Sequence, residues 1–157
     1  METPDAVTMD IVARCMASGV SLRFLNDTSP DTLDTLYAYA YQRHAEGEIA
    51  EAQRLFYLLV LYDQLNVDYL LALGLCHQRL GEHEVALTYF SRAGMLQVTN
   101  PWPSYHAAVS YQRLGEWEWA RKAARASLRW CGAREPYQAL AASVRAFVIQ
   151  LANDNKG

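Results

Sequence analysis

The sequence has no long apolar run, no run of basic residues and few cysteines. Its longest apolar stretch, residues 55–62, is far shorter than the about 18 residues that a membrane-spanning helix needs. The first ten residues are polar and acidic, which does not predict a secretory signal peptide. The three cysteines are far apart and odd in number, a pattern typical of reduced thiols in a cytosolic protein. We therefore expect a cytoplasmic protein without a membrane span.

The charge balance argues against two classes of partner. A net charge of −3 gives no electrostatic attraction to nucleic acid or to an anionic lipid surface. The 157 residues are 52% hydrophobic and 20% charged, which is the composition of a soluble globular protein. A chain of this length can bury a core without disulfides or metal, and no strand pattern is present. One all-α domain is predicted.

No group of residues indicates catalysis, a cofactor or a metal. The chain contains neither C-x-x-C nor H-E-x-x-H, and its solitary glycines form no loop that could cradle a phosphate. His77 and His83 lie on either side of a turn, and we interpret His77 as a core histidine with a local hydrogen bond rather than as a ligand. The sequence predicts a protein that is not an enzyme.

The pentapeptide QRLGE occurs at 78–82 and again at 112–116, a separation of 34 residues. The same interval relates three glycines, each followed by glutamate, and three alanines that come five residues after the glycines. Small residues precede each glycine by seven positions, and phenylalanine follows the first two by nine. These positions are Gly47, Gly81 and Gly115; Ala52, Ala86 and Ala120; Ala40, Gly74 and Ala108; and Phe56, Phe90 and the divergent Ala124. Such regularity indicates a structural repeat.

Each 34-residue unit reads as a helical hairpin. Apolar residues follow helical spacing on both sides of the glycine, which can end the first helix in the left-handed conformation. A hairpin of this kind buries its apolar faces by stacking on copies of itself. The pattern resembles the tetratricopeptide repeat, with units at 33–66, 67–100 and 101–134. We therefore expect three tandem tetratricopeptide-like hairpins, an N-terminal helical arm at 1–32, and a capping helix with a tail at 135–157.

The two ends of the chain carry their own helix signals. Ser29, Pro30 and Asp31 form a typical helix start, and a C-terminal helix beginning with Pro136 is expected to cover the open end of the repeats. Within the arm, apolar residues recur at helical spacing, which predicts a homodimer contact or packing back onto the same chain. These residues are Val7, Ile11, Val12 and Met16.

The first helices of such repeats line a concave groove, and here they carry more apolar residues than hairpin packing requires. We expect these residues to face solvent and to bind an extended, apolar peptide. The alternative is that the N-terminal helix or a second subunit fills the groove. The lysines, arginines and asparagines that grip a terminal carboxylate in other repeat proteins are absent. The predicted peptide-binding residues are Tyr37, Tyr41, His44, Leu71, Ala72, Leu75, Gln78, Tyr105 and Val109.

Four stretches together resemble a narrower family, the class II chaperones of bacterial type III secretion systems. They are SPDTLDTLYAYAY at 29–41, GEIAEAQRLFYLLVLYD at 47–63, LLALGLCHQRLGEHEVALTYFSRA at 70–93 and YHAAVSYQRLGEWEWA at 105–120. The resemblance implies a cytoplasmic, non-catalytic chaperone. Its partner would be a hydrophobic translocator that offers a short N-terminal segment with spaced prolines and aliphatics. His44 and Ile49 depart from the tyrosines often found there, so client preference can differ.

Two other functions remain open at this point. A generic tetratricopeptide scaffold would join folded partners rather than hold an isolated translocator segment. A subunit of an enzyme is the least favoured alternative, because no catalytic residues accompany the repeats.

Overall fold

The computed structural model describes residues 30–154, and all regular secondary structure in that range is helical. This confirms the predicted all-α class. Of the predicted helices, those before residue 30 lie outside the described residues. The elements are α1 (Pro30–Ala45), α2 (Ile49–Tyr62), α3 (Val67–Arg79), α4 (His83–Leu96), α5 (Pro101–Arg113), α6 (Trp117–Cys131), a 3-10 turn (Glu135–Tyr137) and α7 (Gln138–Asp154).

The chain divides into two compact units. Unit 1 ends at Leu80 and contains α1, α2 and α3, whereas unit 2 begins at Gly81 and contains α4 to α7. The division falls inside the second predicted repeat, between α3 and α4. The predicted segments 1–32, 33–134 and 135–157 follow the sequence repeat instead.

The glycines of the repeat end helices as predicted. Gly47, Gly81 and Gly115 have φ angles of 89°, 82° and 76°. A Cβ added at any of the three would meet no heavy atom within 4 Å, so the positive φ alone favours glycine. At Gly115 the turn is closed by hydrogen bonds from the Gly115 and Glu116 amides to the carbonyls of Gln112 and Tyr111. The 34-residue interval in the sequence is therefore the interval between glycines that end helices in the left-handed conformation.

Asparagines mark the starts of two first helices. The side-chain oxygen of Asn66 accepts a hydrogen bond from the Tyr69 amide at 3.2 Å, and that of Asn100 accepts one from the Trp102 amide at 3.0 Å. Asn100 has an extended backbone, with φ −78° and ψ 120°, as expected for a residue before proline. The backbone amides in the first turn of a helix have no acceptor within the helix, and each asparagine side chain provides an acceptor for one of them.

The core of unit 1 forms where α2 packs against both α1 and α3. The small residues Ala40 and Ala52 are fully buried, and so is Leu55. Phe56, at the repeat position predicted to be aromatic, is also buried. An ion pair between Arg43 of α1 and Glu51 of α2, with Nε 2.9 Å from Oε2, joins the two helices at the edge of this core.

The core of unit 2 is built on small residues of α6. Its buried face consists of Ala120, Ala124, Ser127 and Cys131. The Ser127 hydroxyl donates a 2.9 Å hydrogen bond to the carbonyl of Pro101 on α5. On its other flank α6 packs against α7, which buries Leu140, Val144 and Phe147 in the same cluster. The predicted C-terminal covering helix is confirmed within unit 2, but it begins at Gln138, after a 3-10 turn, rather than at Pro136.

Candidate functional site

The nine predicted peptide-binding residues divide between the two units. Unit 1 contains seven of them, on α1 and α3, and unit 2 contains Tyr105 and Val109 on α5. The unit 1 residues come from two helices that contact each other, because Tyr37 of α1 and Tyr69 of α3 have ring centroids 5.5 Å apart. A weak 3.4 Å hydrogen bond from the Arg79 guanidinium to the His44 carbonyl joins the other ends of the two helices.

On α1, the predicted residues Tyr37, Tyr41 and His44 share one edge of the helix at intervals of four and three residues. Tyr41 is the most open of the three, with 41% of its surface exposed, while the other two are half-buried. The Tyr37 and Tyr41 rings meet edge to face at 5.0 Å, and Tyr41 lies 6.4 Å from the His44 ring. The three side chains therefore form one continuous aromatic edge.

The inner sides of these tyrosines are in packing contact. The ring of Phe56 on α2 lies 5.7 Å from Tyr37 and 5.4 Å from Tyr41, edge to face in both cases. The prediction that these tyrosines are not needed for packing is therefore wrong, because α1 rotates both rings partly onto α2. Each tyrosine has one side in the hydrophobic core and a second side that a ligand could reach.

On α3, Leu71, Leu75 and Gln78 repeat the same spacing of four and three residues, and all three are half-exposed. Ala72 is the exception, with only 2% of its surface exposed. It lies three residues after Tyr69 and four before Cys76, which are both buried, so the helix turns it into the core. Its assignment to an exposed groove is corrected accordingly.

Burial controls the ionisation of the unit 1 site. It raises the pKa of Tyr37 well above its ordinary value, and the neighbouring Tyr41 raises it further. The pKa of His44 is lowered by burial and by the charge of Arg79, so the imidazole is neutral at pH 7. Apart from Arg79 at its end, whose guanidinium contacts the His44 carbonyl, the surface formed by Tyr37, Tyr41, Leu71 and Leu75 is uncharged. The site therefore presents uncharged aromatic and aliphatic surface, flanked by the exposed carboxylates of Asp34 and Asp68.

In unit 2, Tyr105 and Val109 are half-buried and pack against the cluster that contains α7. The Tyr105 ring meets Phe147 edge to face at 6.2 Å. The C-terminal helix thus covers one side of Tyr105, which the sequence did not indicate. The neighbouring His106 lies between the rings of Trp102 at 5.6 Å and Phe90 at 5.4 Å.

Two aromatic residues of the unit 1 site, Tyr69 and Phe56, were absent from the predicted set. Phe56 had a sequence signal, because it occupies the recurrent aromatic position of the repeat. Tyr69 had none, since it lies on the buried face of α3 and meets Tyr37 only through the packing of α1 against α3. The predicted dimer residues Val7, Ile11, Val12 and Met16 lie outside the described residues.

The remaining predicted polar groups have structural surroundings. His77 makes the expected hydrogen bond, with its Nδ1 3.1 Å from the side-chain nitrogen of Gln53, but it is half-buried rather than in the core, and its partner lies on α2 rather than nearby in sequence. Cys76 and Cys131 are buried free thiols, and burial raises the pKa of Cys76 to about 12.

Among residues 30–154, no three His, Cys, Asp or Glu side chains lie close enough together to form a metal site. None of the helices in that range could cross a membrane.

No family model matches the chain. Low calcium response locus protein H of Yersinia pestis is 29% identical over 101 residues, which cover 64% of this chain and 60% of that protein. The chain thus matches about three fifths of the length of this curated relative. The crystal structure of PcrH from Pseudomonas aeruginosa is 30% identical, with a TM-score of 0.76 over 80% of this chain and 95% of that one.

A second structure, PcrH in complex with the chaperone-binding region of PopB, is 32% identical with a TM-score of 0.74. The match covers 76% of this chain and 97% of that one. The identity extends over nearly the whole of PcrH, and it agrees with the all-helical fold and with the 34-residue spacing of the glycine caps. The chain belongs to the class II translocator chaperones of type III secretion.

Proposed function

We propose that this protein is a bacterial cytoplasmic chaperone that binds a hydrophobic translocator of a type III secretion system and keeps it soluble until export. The related PcrH has been crystallised with the chaperone-binding regions of PopD and of PopB. A translocator carries apolar segments that aggregate in water, because exposed apolar surface associates. A chaperone that holds one extended segment limits this without catalysing any reaction.

The observation that carries the proposal is the pair of apolar stripes in unit 1. Tyr37 and Tyr41 on α1, and Leu71 and Leu75 on α3, recur at intervals of four on two helices that contact each other. All four side chains are part-exposed in a unit whose other large residues are mostly buried. Apolar surface of this kind suits the alternate side chains of an extended peptide.

The chemistry of the stripes favours recognition of side chains over recognition of a chain terminus. A carboxylate-binding groove needs clustered cations or amides. The corresponding positions here hold Tyr37, Tyr41 and Ala72 in unit 1, and Trp102 and His106 in unit 2. We therefore propose that the ligand is an internal, aliphatic and proline-containing segment near the N-terminus of the translocator. His44 and Gln78 would bind its backbone, and Tyr105 and Val109 would offer the surface that α7 leaves open.

A pair of leucine substitutions tests the site with little effect on folding. Leu71→Ala with Leu75→Ala removes two ligand-facing side chains that are only half-buried. At roughly 1.4 kcal/mol for each side chain, the affinity for a candidate translocator segment should fall about a hundredfold. The matched control is Leu65→Ala with Leu80→Ala, because these leucines are 71% and 41% exposed in unit 1 outside the stripes.

The measurement is fluorescence titration of a labelled N-terminal translocator peptide, with circular dichroism of each variant. If the variant with Leu71→Ala and Leu75→Ala remains helical and binds the translocator peptide with full affinity, the client does not bind at the α1 and α3 stripes. The same titration separates the proposal from a general scaffold. A scaffold protein would bind only the folded partner assembly and would ignore the isolated peptide.

A further inference from the structure

The outer face of α6 carries a row of cations. Lys122, Arg125 and Arg129 are exposed and follow each other at intervals of three and four residues, so they share one side of the helix. Over seven residues this row is about 10 Å long. With the half-exposed Arg121, four of the chain's 14 lysines and arginines fall within nine residues.

These charges have no carboxylate partners in the described part of the chain. Neither of the ion pairs found there involves α6, and Arg125 and Arg129 make no other polar contact in that range. The Lys122 ammonium lies 4.7 Å from the centre of the Trp119 ring. Trp119 is 53% exposed and is stacked on Tyr111 at 6.0 Å. The row is thus bordered by a fixed aromatic platform.

The repeat fold does not require these cations. At the same positions of the 34-residue repeat, the second helix of repeat one has Arg54, Tyr57 and Leu61, and that of repeat two has Thr88, Ser91 and Met95. The helix dipole favours a cation in the last turn, which accounts for Arg129 but not for the two cations in mid-helix. Like charges at these intervals destabilise a helix by about 0.2–0.5 kcal/mol per pair. Glu118 precedes Lys122 by four residues and offsets part of this repulsion, so helix stability does not account for the row.

Solubility does not explain the row either. The chain has a net charge of −3, so added cations bring it closer to neutrality. We propose that the outer face of α6 is a docking surface for an acidic polypeptide segment of another protein, separate from the proposed client stripes. Arginine guanidinium groups bind carboxylates in a bidentate manner, and a row of three matches carboxylates spaced along one chain.

A protein segment fits this surface better than a membrane does. Near an anionic bilayer each cation contributes about 1 kcal/mol, so three of them bind only weakly. Trp119 cannot readily insert into lipid, because Tyr111 and Lys122 hold its ring. The overall negative charge would also oppose approach to lipid or nucleic acid, whereas a short acidic segment interacts mainly with the row itself.

The test uses the full chain and a fluorescein-labelled peptide of consecutive glutamates, titrated by anisotropy at several salt concentrations. The variant Lys122→Gln, Arg125→Gln and Arg129→Gln should bind this peptide at least about tenfold more weakly than the native protein. The control Arg54→Gln, Arg113→Gln and Arg145→Gln removes the same charge from three separate exposed helix positions. Its affinity should stay within about threefold of native.

Two further measurements support the same surface. The α6 variant should keep the native helical content by circular dichroism, so that weaker binding of the glutamate peptide reflects the lost cations rather than unfolding. It should also retain full affinity for the translocator peptide, so the two proposals can fail independently.

Three results would overturn the inference: no binding of the glutamate peptide by the native chain, equal losses in both triple variants, or loss of the translocator peptide in the α6 variant. Binding to phosphatidylglycerol vesicles that depends on the row, without binding of the peptide, would assign the surface to lipid instead.

Discussion

The rings of Tyr41 and Phe56 meet edge to face, with centroids 5.4 Å apart and planes at 80°. This contact gives Tyr41 two roles, because its inner edge packs α1 on α2 while its outer face is 41% exposed. If Tyr41 binds the client as proposed, client binding and stability are coupled at this residue. The leucines of α3 are the cleaner probes of binding, and Tyr41 is the cleaner probe of packing.

Tyr41→Ala should lower the free energy of unfolding by about 1–2 kcal/mol, because an edge-to-face pair contributes about 0.5–1.5 kcal/mol beyond the area it buries. Urea unfolding followed by circular dichroism measures this. Tyr57→Ala is the matched control, since Tyr57 is 48% exposed and makes no ring contact among residues 30–154. It should change stability by less than about 0.5 kcal/mol. Equal losses in both variants would contradict a packing role for Tyr41.

Two glycine-to-alanine substitutions should have opposite effects. Gly81→Ala should destabilise the protein by about 1 kcal/mol, because φ is 82° and alanine is strained there. Gly94→Ala should stabilise it by up to about 1 kcal/mol, since Gly94 lies inside α4 and a new Cβ would be 3.6 Å from that of Pro103. Thermal melts of the two variants provide the comparison. A Gly81→Ala protein with native stability would contradict the left-handed cap.

Stability should fall as the pH is lowered from 7 to 5. Burial lowers the pKa of His106 from 6.5 to about 4, so the unfolded chain binds the proton more tightly than the folded one. The stabilisation is complete above pH 6.5 and is lost as the pH falls towards 4. From His106 alone the loss at pH 5 is about 2 kcal/mol. His44 and His83 add to it, because the pKa of each is also lowered by burial.

The control for this pH dependence is His106→Phe, which retains an aromatic ring between Trp102 and Phe90 but cannot be protonated. Urea unfolding at pH 7, 6 and 5 should show a smaller loss in this variant. The same slope in both proteins would assign the pH dependence to other groups.

The N-terminal arm is predicted to mediate a homodimer. Ile11→Asp places a charge on the apolar row of Val7, Ile11, Val12 and Met16, which should turn a dimer into a monomer in sedimentation velocity at tens of micromolar. Thr8→Asp adds the same charge at a polar position nearby and should leave the dimer intact. A native chain that sediments as a monomer would contradict the prediction and favour packing of the arm onto its own chain.

The sequence by itself determined the helices and their turns. Glycine at a positive φ is a local requirement, so its 34-residue spacing located the helix ends without knowledge of the rest of the chain. The residues on the exposed edges of α1 and α3 also followed from helical periodicity, with Ala72 as the error. Consecutive residues are 100° apart around a helix, so Ala72 is buried although its neighbour Leu71 is half-exposed. The sequence does not reveal which side of α3 a neighbouring helix covers.

Only the tertiary structure decided how much of each predicted site residue is available. Tyr37 is half-buried because Phe56 of α2 and Tyr69 of α3 pack against it. Tyr105 is half-buried because Phe147 of α7 packs against it. The cations of α6 were visible in the sequence, but their exposure and lack of carboxylate partners within residues 30–154 became evident only once the helix was packed. Helix formation depends on neighbours within about four residues, whereas burial depends on side chains that lie far apart in sequence.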